Sequence, residues 1–249
     1  FALEPGIKKK QVVQFTNPEL CKITEDLIFT DPFHYAETNN YPVELQSDVE
    51  DIWNDFLLKL EVAKLKHKFL TQSEALLHGD LHTGSVFVKE DSTKVIDPEF
   101  AYYGPMGFDV GNYIGNLILN FISQEGHVSD KNKRKQIQEY LLQAIKDTWS
   151  EFTLTFQQLW QERGLEPYTK IEGYCGYFLN GVFVDAIGFA GCEVIRRTIG
   201  LAHVEDIESV PSEEKKLAIK KQALSIGRKL IIKRNTIQNI DELLNLVKG

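Results

Sequence analysis

The stretch His78-Gly79-Asp80-Leu81-His82-Thr83-Gly84-Ser85, with Asp97-Pro98-Glu99 a short way beyond it, constrains this chain more than any other. Between the two lie Val86 to Lys89 and Lys94 to Ile96, separated by Glu90-Asp91-Ser92-Thr93, a pattern that predicts two short β-strands joined as a hairpin. A hairpin returns the chain to where it left. Residues before its first strand and after its second therefore share one end, so Asp80 and Asp97 are expected to meet in space. Glu99 follows two residues later, with the rigid Pro98 fixing how the two carboxylates diverge. Three acidic side chains are then expected to converge at one hairpin mouth.

Like charges a few ångströms apart raise one another's pKa unless a cation stands among them. A divalent metal is the usual solution. Oxygen-only donors favour Mg²⁺ over Zn²⁺, and Mg²⁺ commonly bridges one or two carboxylates to substrate phosphates. Asp97 and Glu99 are the expected metal ligands, which leaves Asp80, in a glycine-flanked loop, to accept a proton from an attacking hydroxyl. The expected chemistry is phosphoryl transfer.

These residues resemble the catalytic and metal-binding loops of the kinase-like small-molecule phosphotransferases, which include aminoglycoside phosphotransferases and choline kinases. The longer strings HGDLHTGS at 78–85 and DPEFAYYGPMGFD at 97–109 are similar to one branch, the 5-methylthioribose kinases. The strings AIGFAGCE at 186–193 and IRRTIGLAH at 195–203 extend that similarity over nearly the whole chain. The resemblance implies ATP- and Mg²⁺-dependent phosphorylation of the 1-hydroxyl of 5-methylthioribose in methionine salvage, by a cytoplasmic enzyme, and it suggests a homodimer. Under it, Asp80 is the catalytic base, and Arg196 and Arg197 recognise the sugar together with Asp80. Asp109 ties back to the backbone of the catalytic loop, and His78 packs beneath that loop. Ser85 stands where most kinase-like enzymes carry a metal-binding Asn. A hydroxyl is the weaker ligand, and Glu99 is expected to compensate. Ser85 and His82 are the candidate contacts to ATP, although His82 also suits a loop-stabilising role.

Arg196 and Arg197 are adjacent in an otherwise apolar segment, where an unpaired cation is costly to bury. Glu193 lies four residues before Arg197 and offers it an ion pair, whereas Arg196 has Cys192 at that spacing and no such partner. On a helix the two arginines leave about 100° apart, so one is free to be structural while the other reaches the site.

Two other readings compete. A kinase for a cationic alcohol such as choline or an aminoglycoside would want carboxylates and aromatics rather than twin arginines. A non-catalytic binding or dimerisation lobe draws on a different feature. No glycine-rich strand–loop–strand precedes the His78 loop, and no strand lysine paired to a helical glutamate is assignable; such parts anchor ATP phosphates in kinases. The chain opens on Phe1 and its single methionine is Met106, so a nucleotide-anchoring N-terminal lobe is expected to precede it. Residues 1–249 then form the C-terminal, substrate-binding and catalytic lobe of a protein-kinase-like α+β fold, mostly helical with one short β-hairpin.

At 249 residues, 43% hydrophobic and 26% charged, the chain has ordinary globular proportions. Its net charge of −8 opposes nucleic acid as a partner, since a phosphate backbone wants a basic face. Cys21, Cys175 and Cys192 follow no metal-ligand spacing and read as reduced, packed thiols. No membrane is expected as a partner: no apolar run reaches the roughly 18 residues a bilayer crossing needs.

The remaining pattern is helical. Phe1 to Lys10 reads as a basic lead-in with a turn at Pro5-Gly6, and Asn17-Pro18 as a cap that starts a helix ending near Phe29. One amphipathic helix is expected over Val43 to Leu70, another from Phe108, and a third from Arg134 to Gly164, whose aromatic stripe reads as core. Gln124 to Lys133 is an exposed connection. Tyr168 to His203 is glycine-rich, for close helix contact or for breaks. Helices from Pro211 and Asp241 complete a set of about seven.

Overall fold

The computed structural model describes residues 5–249. Its helices are α1 (Pro5–Gln14), α2 (Pro18–Thr24), α3 (Gln46–Asn54), α4 (Phe56–Thr71), α5 (Gly107–His127), α6 (Lys131–Arg163), α7 (Tyr174–Ile199), α8 (Glu205–Glu208), α9 (Glu213–Lys233) and α10 (Ile240–Lys248). Four short strands, β1 (Ala75–Leu77), β2 (Val86–Lys89), β3 (Ser92–Val95) and β4 (Tyr102–Gly104), make two separate antiparallel ladders. The mostly helical class with a small hairpin is as expected, and the helices outnumber the seven anticipated.

The expected hairpin is β2–β3, in register from Val86 opposite Val95 to Lys89 opposite Ser92. Its turn is tighter than expected: β3 starts at Ser92, leaving only Glu90-Asp91 at the tip. The second ladder was not anticipated, because three residues are too few for a readable period. It sets Ala75 opposite Gly104 and Leu77 opposite Tyr102, and so closes the segment 78–101 at its base.

Several boundaries move for identifiable reasons. Pro5-Gly6 opens α1 instead of forming a turn, since proline suits the first helical position; residues 1–4 of the basic lead-in lie outside the described residues. The helix expected over Val43 to Leu70 is interrupted at Asp55, which has extended backbone and accepts a hydrogen bond from the Leu58 N–H at 3.0 Å, capping α4 afresh. Asp55 also pairs with Arg228 of α9 at 2.5 Å. Asp130 caps α6 through the Lys133 N–H at 2.8 Å, which draws part of the expected connection into that helix.

Of the glycines between Tyr168 and His203, Gly188 and Gly191 sit in close contact, Gly173 takes a left-handed backbone just before α7, and an added β-carbon at Gly176 or Gly181 would meet nothing within 4 Å. α7 is unbroken, and a β-carbon added to Gly107, Gly111 or Gly115 of α5 would lie 2.8 Å from the Ala186 nitrogen, 2.5 Å from the Ala186 oxygen or 3.0 Å from the Ala190 oxygen. On the other side of α7, a β-carbon on Gly191 would lie 2.7 Å from the Gly227 oxygen of α9. Small residues thus let α7 approach both neighbours at backbone distance. α7 is also long and apolar enough, by length and composition, to cross a membrane, contrary to expectation; here 78% of its most apolar stretch is buried inside the fold.

α7 contributes to two hydrophobic clusters. One gathers Ile118, Ile122, Ile145, Ala190, Val194, Leu230 and Leu243 from α5, α6, α7, α9 and α10. The other joins Phe29, Phe69, Tyr102, Phe108 and Phe189 beneath the ends of β4 and α5, with Phe69 5.0 Å from Tyr102 and Phe108 5.3 Å from Phe189 between ring centres. Phe108 and Phe189 have no exposed surface, and each contributes about 2–3 kcal/mol by leaving water. The aromatic stripe of α6 reaches the core only in part: Trp160 is buried and Trp149 packs 4.8 Å from Phe183 of α7, whereas Phe152 and Phe156 are half-buried. All three cysteines are free, and Cys192 is fully buried.

Candidate active site

The loop after β1 is fixed from below. Asp109, in the first turn of α5, accepts hydrogen bonds from the backbone N–H groups of His78 at 2.6 Å and Gly79 at 3.0 Å, the tie expected of it. Burial pushes the Asp109 carboxyl above its ordinary pKa, and those two N–H donors pull against the rise. His78 donates from Nε2 to the Ile96 carbonyl at 2.8 Å and accepts the Asp80 N–H at Nδ1 at 3.3 Å, so its proton sits on Nε2. Across the same gap the Ile96 N–H donates to the Ser85 carbonyl at 3.0 Å. The loop carrying Asp80 and the segment leading to Asp97 are therefore stitched together, as the hairpin argument requires.

What faces Asp80 differs from expectation. Its Oδ1 lies 3.2 Å from Nη2 of Arg196 and 3.7 Å from Nη2 of Arg197, both from the last turn of α7. Among the described residues no three Asp, Glu, His or Cys side chains stand close enough to hold a metal by themselves. The expected convergence of three carboxylates is thus corrected. Two guanidinium groups supply the counter-charge at Asp80, while Asp97 and Glu99 are exposed. Asp97 takes a left-handed backbone, φ 66°, a conformation that aspartate tolerates better than most residues, and Pro98–Phe100 follows as a single tight turn.

The arginines share one partner. Glu193, with no exposed side chain, pairs through Oε2 with Nε of Arg196 and through Oε1 with Nε of Arg197, the latter at 2.8 Å. The expectation that Arg196 lacks a local partner is corrected, because its partner stands three residues back rather than four. Both arginines reach Asp80, so neither is purely structural. Burial pushes the Glu193 carboxyl up, but Arg196 and Arg197 outweigh it and bring its pKa down to about 2. Asn116 of α5 donates to Glu193 Oε1 at 2.8 Å.

His82 is half-buried. Its Nδ1 accepts the Gly84 N–H at 3.0 Å, its Nε2 lies 3.7 Å from Asp80 Oδ2, and burial lowers its pKa, so the ring is neutral at pH 7. Ser85 is buried, and its hydroxyl donates to the Asp80 carbonyl at 3.4 Å.

Residues 11–146 match the phosphotransferase enzyme family. The chain belongs to that family. Among curated proteins it is similar to members named methylthioribose kinase: 53% identical over 96% of its length to one from Geobacillus sp. (strain WCH70) and 49% over 99% to one from Geobacillus thermodenitrificans. It is also 52% identical over 93% of its length to one from Bacillus thuringiensis subsp. konkukian. It spans 58%, 60% and 56% of the lengths of these three relatives.

Two residues that help build this site were not read from the sequence. Asn17 stands at the N-cap position of α2, as expected, but its side chain makes no cap bond; it donates to the carbonyls of Glu99 at 2.8 Å and Ala101 at 3.2 Å, holding the acidic segment against α2. Asn116 was missed although Asn112, Asn116 and Asn120 recur every fourth residue along an apolar helix, a polar stripe that marks one face.

Proposed function

We propose that this chain supplies the catalytic and sugar-binding lobe of an ATP-dependent methylthioribose kinase, which phosphorylates the anomeric 1-hydroxyl of 5-methylthioribose in methionine salvage. The observation that carries this reading is the meeting of Asp80 with the Arg196–Arg197 pair in a loop held by Asp109. The names of the relatives support it as well.

In this reading the acceptor hydroxyl hydrogen-bonds to Asp80. As its oxygen bonds to the γ-phosphorus of ATP, the bond to ADP breaks and the hydroxyl proton passes to the Asp80 carboxylate. Arg196 and Arg197 present planar forks suited to vicinal sugar hydroxyls and to the new phosphate. Their present contact with Asp80 is the space the sugar takes over, each fork exchanging a carboxylate oxygen for a hydroxyl. Asp97 and Glu99 are exposed oxygen donors with no imidazole or thiolate between them, a set that fits Mg²⁺ while leaving positions for phosphate oxygens. When bound there, Mg²⁺ would neutralise charge on the triphosphate. Ser85 and His82 border the same loop as candidate contacts to ATP, and the chain is read as the lobe that meets a separate nucleotide-anchoring lobe.

The test is turnover of the Asp80→Asn variant, made in the complete protein that carries the nucleotide-anchoring lobe, with Mg-ATP and methylthioribose. Loss of a positioned base lowers kcat by about 100- to 10,000-fold with ATP affinity retained. Near-normal turnover would remove Asp80 from the base role. Choline and an aminoglycoside serve as competing acceptors, and preference for either would overturn the sugar assignment. Absence of ADP release with every acceptor would favour the non-catalytic lobe.

A further inference from the structure

Glu193 grips both arginines by the same atom. Oε2 takes Nε of Arg196 and Oε1 takes Nε of Arg197, and neither oxygen meets a terminal guanidinium nitrogen in these bonds. With each Nε engaged, the terminal Nη groups are left to point onward, and Nη2 of both arginines faces the one oxygen, Oδ1, of Asp80. Positions three and four beyond a helical residue lie on its side of the helix. A single acceptor at 193 therefore brings together two side chains that would otherwise leave α7 about 100° apart. Asn116 adds a second donor to Oε1, which steadies the carboxylate from α5.

We infer that Glu193 is a positioning residue for the acceptor site, setting the direction of both guanidinium forks, with Asn116 fixing the orientation of its carboxylate. The inference rests on the reading of this site as a sugar kinase whose arginines touch the acceptor. Without that carboxylate two adjacent cations repel, and Asp80 is left as their nearest anion.

The test is steady-state kinetics of the Glu193→Gln and Asn116→Leu variants, made in the complete protein that carries the nucleotide-anchoring lobe, with methylthioribose and Mg-ATP, alongside ¹⁵N spectra of the arginine Nε–H groups. Glutamine keeps the shape but offers an N–H donor where one guanidinium needs an acceptor. The expected result for Glu193→Gln is a rise of about 10- to 100-fold in the methylthioribose KM, an unchanged ATP KM, and loss of at least one of the protected Nε–H signals seen in the wild type. Asn116→Leu keeps both ion pairs, so a smaller rise in the same KM is expected with both signals retained. Equal changes in both KM values, or unchanged signals in Glu193→Gln, would overturn the inference. Should Glu193→Gln not fold, an unchanged methylthioribose KM in Asn116→Leu does so instead. If the wild type turns over no methylthioribose, the functional reading fails and the spectra judge the placement: protected Nε–H signals uphold it and their absence rejects it.

Discussion

Gly79 and Phe100 meet backbone to backbone. Gly79 has a φ of +86°, and a β-carbon there would lie 2.1 Å from the Phe100 carbonyl oxygen. No L side chain satisfies both conditions. Gly79→Ala is expected to cost about 1–2 kcal/mol from the backbone alone, with the clash in addition. The loop must then move, and a displacement of about 1 Å at the neighbouring Asp80 lowers turnover by about 100-fold. Chemical denaturation together with kinetics checks both effects, and an alanine variant of normal stability and rate would contradict this packing.

Asp109→Ala removes the acceptor for two backbone donors at once. With the His78 and Gly79 N–H groups left in a mostly buried place, stability should fall by about 2–4 kcal/mol. Urea unfolding measures the loss. Turnover compared at a temperature where the variant stays folded should fall as well, because the loop carrying Asp80 loses its tie.

Glu193 makes stability depend on acid. Its folded pKa of about 2 lies below its ordinary 4.5, so folding favours the ionised form. The contribution is complete above pH 4.5 and is lost as pH falls toward 2; a depression of that size corresponds to about 3 kcal/mol. Unfolding free energies measured from pH 5 down to pH 2 should show this loss in the wild type and a flatter profile in a folded Glu193→Gln variant.

The glycines of the α5–α7 seam and those at the start of α7 should respond in opposite directions. At Gly111 a β-carbon would press on the Ala186 carbonyl, so Gly111→Ala should destabilise by about 1–3 kcal/mol. Gly176 has nothing within 4 Å and lies inside a helix, so Gly176→Ala should stabilise by about 0.5–1 kcal/mol. Thermal unfolding of the two variants compares them directly, and equal shifts would show that the seam is not close-packed.

The hairpin and the pairing of Glu193 with Arg197 were legible in the sequence because each rests on local spacing, whereas the tie from Asp109 to the loop some 30 residues before it was expected only from the family resemblance. What escaped was set by tertiary contact. β1 and β4 are three residues each and are strands only because they face one another. Asn17 carries every mark of a cap, and only the nearness of the 99–101 segment redirects its amide. The charge balance at Asp80 misled for a related reason: its counter-ions come from 116 residues away along the chain, beyond the reach of any argument from hairpin geometry.

The closure of segment 78–101 by the β1–β4 ladder has a mechanical consequence. Positions 80, 97 and 99 ride on one looped stretch of chain with its own clasp, whereas the arginines arrive from a separate helix seated in the hydrophobic interior. Under the proposed roles the acidic positions and the arginines stand on different elements that meet at α5, which holds the loop through Asp109 and packs at backbone distance on α7, so a repacking that tilts α7 would displace the arginines directly and reach the acidic positions only through α5.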